Sequence, residues 1–106
     1  QKANESIAYM AKFSGATVEE FKAQLKTTAM FYTAAEAANF TKGETLKKTM
    51  DYVRTFCFAQ GLYPQNAKSK DHVGIMFPDG TITGDKKNVK LRFDASYMQL
   101  AAEGKL

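Results

Sequence analysis

The chain has 106 residues with a formal charge of +4, 44% apolar content and one cysteine, Cys57. That length allows one domain or part of one, and a single cysteine excludes an internal disulfide. There is no apolar run of the ~18 residues a membrane helix needs, and no charged-then-apolar secretory leader. The 15 Lys and Arg are dispersed, and their densest cluster is Lys86, Lys87, Lys90 and Arg92. That cluster lacks the aromatic interleaving of a nucleic-acid surface, so it reads as a solvated positive face and no nucleic-acid partner is expected.

Residues 3–14 have the pattern of a helix, with Ile7, Met10 and Phe13 as its expected apolar stripe and Gly15 at its end. Thr17-Val18-Glu19-Glu20 is a capping box that starts a second helix bearing Val18, Phe21 and Leu25. The mixed charges of Glu19, Glu20, Lys22 and Lys26 do not suit a DNA-reading helix. Residues 27–32 are rich in β-branched and aromatic types, which predicts a short extended segment. Thr33 to Glu36 form a second capping box for a short helix with Ala37 and Phe40 inward, broken at Lys42-Gly43.

The longest periodic element runs from Glu44 to Gln60. Leu46, Met50, Val53 and Cys57 share one face, widened by Phe56, while Lys47, Lys48, Asp51 and Arg54 lie elsewhere. Asp51 is expected to pair with Lys47 or Lys48. Gly61-Leu62-Tyr63-Pro64 then stops the helix.

At about residue 64 the period changes. Residues 64–72 are a polar linker, and Val73 to Phe77 reads as a strand. Asp79-Gly80 turns it into a hairpin returning through Thr81-Ile82-Thr83. Val89 to Phe93 alternates and is expected to bury Val89, Leu91 and Phe93. Asp94 caps a last helix carrying Tyr97, Met98, Leu100 and Ala101, and Gly104 ends it. The expected fold class is therefore α+β: helices, then a hairpin or three short antiparallel strands, then a helix. The expected organisation is a helical part (1–63), a linker (64–72) and a β-extension with its helix (73–106).

No catalytic constellation emerges, so no catalytic or metal residue is assigned. His72 is the only histidine, and an adjacent Asp71 cannot serve its own neighbour as a triad requires. Cys57 sits on an apolar stripe and reads as a small core residue. Asp71, Asp79, Asp85 and Asp94 suit turns and caps, without calcium-loop spacing. No phosphate-loop pattern surrounds Gly80 or Gly84. Asn4-Glu5-Ser6 and Asn39-Phe40-Thr41 are sequon-like, yet both fall in expected helices.

The order of the parts carries more than any one motif. Gly15, Thr17, Glu19 and Glu20 form a Gly-x-Thr-x-Glu-Glu connection. A later amphipathic helix ends in Phe58, then Gly61, Leu62 and Pro64. This order resembles the C-terminal region of periplasmic solute-binding proteins of ABC importers, in the nitrate, taurine, alkanesulfonate and thiamine-precursor branch. The resemblance covers nearly the whole chain, with residues 77–106 similar to an extension in a subset of those proteins.

The resemblance implies part of one lobe of a two-lobed α/β fold, which captures a small anionic or nitrogen- or sulfur-containing solute and docks on a membrane permease. It implies an extracytoplasmic location, no enzymatic activity and no cofactor. Because the chain begins at Gln1 rather than Met, it is expected to be a processed or excised piece. No ligand-binding residue of the family matches a position here, so the segment is expected to be scaffold. Helices without their sheet would expose apolar faces, which predicts a homodimer. The alternative is a self-contained interaction module that binds an acidic partner through Lys86, Lys87, Lys90 and Arg92.

Overall fold

Gly15 sets the path of the first part of the chain. In the computed structural model, which describes residues 2–106, the first helix α1 (Lys2–Ser14) ends there. The Gly15 N–H reaches the Lys12 carbonyl at 3.3 Å, and the Ala16 N–H reaches the Ala11 carbonyl at 3.0 Å. These are the two bonds of a Schellman end. The next helix, α2 (Val18–Lys26), starts on the expected capping box: Glu20 N–H donates to Thr17 Oγ1, and Thr17 N–H donates to Glu20 Oε2. The two helices pack against each other.

The inward face of α1 differs from the expected stripe. Ala11 is buried and Ile7 half-buried, whereas Met10 is exposed and Phe13 is 86% exposed. Ile7 and Ala11 are four residues apart, so the inward ridge is i, i+4 rather than i, i+3, i+6. The expected extended segment at 27–32 forms no strand. Thr27 and Thr28 instead turn their N–H groups and hydroxyls onto the carbonyls of Gln24 and Leu25, prolonging the end of α2.

The chain divides into two compact units between Phe31 and Tyr32. The second opens with α3 (Ala34–Lys42), started by the Thr33–Glu36 capping box as expected. Gly43 closes α3 and opens α4 (Glu44–Ala59), which Gly61 ends with a second Schellman pair: Gly61 N–H to Phe58 O, and Leu62 N–H to Cys57 O. A 3₁₀ turn (Lys70–His72) leads into β1 (Gly74–Met76), followed by β2 (Ile82–Thr83), β3 (Val89–Arg92) and α5 (Ser96–Ala102). Leu46, Ile75 and Phe77 form the core, with Phe40, Met50 and Phe93 packed around them. Phe77 and Phe93 stack at 5.8 Å. Helix α5 lies on α3, where Thr41 meets Met98 and Lys42 donates to Gln99.

The fold is α+β, but the sheet is mixed rather than antiparallel. Its order is β2-β1-β3, with β1 antiparallel to β2 and parallel to β3. The hairpin at Pro78-Asp79-Gly80 is as expected. After β2, residues 84–88 cross the entry of β1 and emerge on its other edge. Asp85 N–H bonds to Asp71 O, and Gly74 N–H bonds to Asn88 O, both at 2.9 Å. Two backbones touch at this crossing. A Cβ at Gly74 would strike the Asp85 carbonyl, and one at Gly84 would strike the Val73 carbonyl. Only glycine permits this approach, and Gly84 also has φ +85°. The crossover leaves β3 on an edge, so Leu91 is 41% exposed rather than buried. Val89 and Phe93 are half-buried.

Asp94 departs slightly from its expected role. Its carboxylate accepts from the Ser96 N–H at 2.8 Å, but Ala95 stands at the cap position of α5.

A contrast between two glycines tests the crossing. Gly80 has φ +81° with open space around it, whereas Gly84 is enclosed. Gly80→Ala is expected to destabilise by about 1 kcal/mol from backbone conformation alone. Gly84→Ala is expected to cost about 3 kcal/mol or more, because clash adds to strain. Urea titrations of the two variants measure the difference.

Candidate functional site

Arg54 is the one buried charged residue among the described residues, at 4% exposure. Sequence reading set it on the polar side of α4. It actually continues the Leu46–Met50 ridge at i+4 and i+8, and that spacing was the available signal. Val53, expected on the inward stripe, is exposed instead, and Cys57 is half-buried.

The guanidinium joins three pieces of chain. Nη2 donates to Asp51 Oδ1 at 2.8 Å, one turn back on α4. Nη1 donates to Asp71 Oδ1 at 3.0 Å and reaches the Lys70 carbonyl at 3.5 Å, both in the 3₁₀ turn. A methyl group at Gly84 would lie 2.7 Å from Nη1, so the turn after β2 rests directly against the guanidinium. Nε is buried without a partner. Lys70 closes the cluster from the solvent side, with Nζ 3.0 Å from each Asp51 oxygen and 3.2 Å from Thr55 Oγ1.

The expected pairing of Asp51 with Lys47 or Lys48 does not form. Lys47 is drawn instead to Asp79 in the β-turn at 2.7 Å and to Glu44 at 3.2 Å. It also lies 5.8 Å from the centre of the Phe77 ring, within cation–π range. Hydrogen bonds from Arg54 and then Lys70 hold the Asp51 carboxyl below its ordinary range. Asp79 is held well below that range by Lys47 first and then by Thr81. Hydrogen bonds to Asp79 first and then Glu44 raise Lys47. With their charges engaged in this way, these groups link α4 to the sheet and its connections.

The other residues singled out by sequence are dispersed. His72 is half-buried, and its carbonyl accepts from Asn88 Nδ2 at 2.7 Å. Asp79, Asp85 and Asp94 do serve turns, accepting from the N–H groups of Thr81, Lys87 and Ser96. Asp71 differs from these three: its carboxylate accepts from Arg54, and its own N–H donates to Ser69 Oγ. Among the described residues, no three His, Cys, Asp or Glu side chains converge on a metal position, and no helix is long and apolar enough to cross a membrane.

Open depressions lie beside α4 and beside the start of α5. One of about 520 Å³ lies beside α4, lined by Lys47, Lys48, Asp51, Tyr52, Thr55 and Thr83. A smaller one of about 260 Å³ lies by Lys42, Pro78 and the start of α5. Lys86, Lys87, Lys90 and Arg92 are all exposed, and their side chains make no hydrogen bond or ion pair among the described residues. Comparison with known proteins found no matching family profile, curated relative or solved structure.

The ion pairs predict a pH response with a definite sign. Asp51, Asp79, Asp94, Glu20 and Glu103 all have lowered carboxyl values. Each therefore binds its proton less readily in the folded chain than in the unfolded one. The stability they contribute is present above the ordinary value of about 4 and is lost as pH falls through the lower folded values. Thermal unfolding midpoints are expected to drop below about pH 4. Asp51→Asn is expected to lower the midpoint at pH 7, with a gap from the parent chain that narrows at pH 2. Melting curves across that range measure it.

Proposed function

We propose that this chain is the C-terminal portion of the solute-binding subunit of an ABC importer, acting as scaffold within one lobe of a periplasmic-binding-protein fold. The solute is a small anionic or nitrogen- or sulfur-containing molecule. The subunit is extracytoplasmic and non-enzymatic, and its macromolecular partner is the membrane permease. The reading rests on the order of motifs from Gly15 to Pro64. The observation that carries its scaffold part is the outer face of α1. Tyr9 and Phe13 stack at 6.2 Å on that face, 70% and 86% exposed, on a helix closed by the two hydrogen bonds of its Schellman end. A well-ended helix with an uncovered aromatic face suits a segment that packs against further structure.

The test uses the complete polypeptide encoded with this segment. Calorimetry against nitrate, taurine and alkanesulfonates is expected to show saturable binding of one of them. In that polypeptide, Phe13→Ala is expected to lower the melting temperature and to change the solute Kd by less than about twofold, because the residue supports the lobe and does not touch the solute. A complete polypeptide that binds none of these solutes contradicts the transport reading. A large loss of affinity in Phe13→Ala contradicts the scaffold role.

A second reading has its own observation. Four exposed, unpaired cations fall within residues 86–92, which suits an interaction module for an acidic partner. Binding to polyglutamate is then expected to weaken steeply with salt, and charge reversal at Lys90 and Arg92 is expected to abolish it.

A further inference from the structure

β3 is an outer strand of the sheet, and among the described residues no strand lies beyond it. The bonds on its paired side fix what its open side presents. Phe93 N–H donates to Met76 O at 2.9 Å, so Phe93 turns its amide toward β1. Successive residues of an extended strand turn their N–H and C=O groups to opposite sides. Leu91 therefore faces β1 as Phe93 does, and Arg92 points both of its backbone groups off the sheet. The Lys90 carbonyl lies across the peptide plane from the Leu91 N–H, so it points outward too. Lys90 is the residue left over where the register shifts, with Gly74 opposite Val89 and Ile75 opposite Leu91.

The side chains along this edge have one sign. Lys86, Lys87, Lys90 and Arg92 fall within residues 86–92, with no carboxylate among them. All four are exposed. The flanking carboxylates are turned onto backbone: Asp85 accepts from the Lys87 N–H and Asp94 from the Ser96 N–H. Leu91 is 41% exposed beside them, and an apolar side chain on a neighbouring strand would cover it.

Charge decides what can lie there. A second copy of β3 on this edge would set Lys90 and Arg92 against cations, which is unfavourable and protects an edge from pairing with itself. A strand that carries carboxylates turns the same contacts into attraction.

We propose that the outer edge of β3 accepts an extended acidic peptide as a fourth strand. The peptide backbone bonds the Arg92 N–H and C=O and the Lys90 carbonyl. Its carboxylates pair with Lys90 and Arg92, and an apolar residue lies beside Leu91. Lys86 and Lys87, in the turn before the strand, attract it. Main-chain bonds and alternate side chains divide affinity and specificity as in other strand additions. β3 has four residues, so the added ladder is short and charge supplies much of the affinity. The proposal rests on the second reading above, binding of an acidic partner, and adds backbone pairing to it.

The test compares two synthetic peptides on the 106-residue chain by amide-resolved NMR titration. One alternates valine and glutamate. The other has the same sequence with its valine amides N-methylated, which keeps the charge and removes backbone donors. The unmodified peptide is expected to bind and to slow exchange of the Arg92 amide. N-methylation is expected to weaken binding by about tenfold or more, because a strand without donors cannot form the ladder. Arg92→Glu is expected to weaken the unmodified peptide by about tenfold or more, whereas Lys48→Glu, exposed on α4, is expected to change it by less than about twofold. Melting curves check that both variants are folded. Equal binding of the two peptides overturns strand pairing and leaves the acidic-partner reading standing, as does an Arg92 amide whose exchange the bound peptide leaves unchanged. If neither peptide binds, strand pairing is overturned, and if polyglutamate also fails to bind, the acidic-partner reading falls with it.

Discussion

The second unit depends on one side chain. Arg54 carries its charge into the protein and, braced by Asp51 one turn back on α4, ties that helix to two segments distant in sequence: the 3₁₀ turn through Asp71 and the Lys70 carbonyl, and the Gly84 turn by direct contact. A lysine could not do this. Its single ammonium has no planar fork to address two carboxylates from opposite directions. Burying the guanidinium carries a desolvation cost that two half-exposed carboxylates offset only in part, and Nε remains unpaired. What the arrangement supplies is a defined geometry. The sheet has nine strand residues in all, too few for its ladders to fix their own position.

That geometry explains the topology. The chain leaves β2, passes over the entry of β1, and becomes β3 parallel to β1. The passage requires glycine at 74 and 84, because each backbone occupies the place of the other's Cβ. Arg54 packs beneath the same crossing. The crossing and the ion cluster are therefore one feature seen from two sides. Phe77 and Phe93, which flank it along the chain, close the core by stacking.

The parts of the fold that were readable in the sequence are those decided locally. Both capping boxes, the glycine helix ends at 15 and 61, and the Asp79-Gly80 hairpin follow from residues within a few positions of each other. The direction of β3 was not readable. Alternation in Val89 to Phe93 identifies a strand but says nothing of its neighbour, and the crossing that sets it depends on contacts ten or more residues apart. The inward face of α4 was half readable: Leu46 and Met50 are common to both possible ridges, and only the third position separates Val53 from Arg54. A charged residue on an apolar ridge reads as surface until its two carboxylates are brought to it. Candidate binding residues were not readable for a related reason. Beside the open depression, Lys47 is engaged with Asp79 and Glu44 and Asp51 with Arg54 and Lys70, and their spacing in sequence carries no signature of a ligand.

The distribution of apolar surface is the feature most relevant to function. The core is small, while α1 and α4 each keep aromatic side chains on an outer face. Each of these helices, in its own unit, ends on a glycine turn and keeps that face uncovered.

The central claim is that Arg54 is what holds the sheet's entry to the helical layer. The most direct measurement is residue-resolved hydrogen exchange on Arg54→Met, which keeps the length of the side chain and removes its charge. The account predicts that the Gly74 and Asp85 amides, bonded to Asn88 and Asp71 across the crossing, lose protection, while the amides of α3 keep theirs. Unchanged protection at Gly74 and Asp85, or an equal loss throughout the second unit, would contradict it.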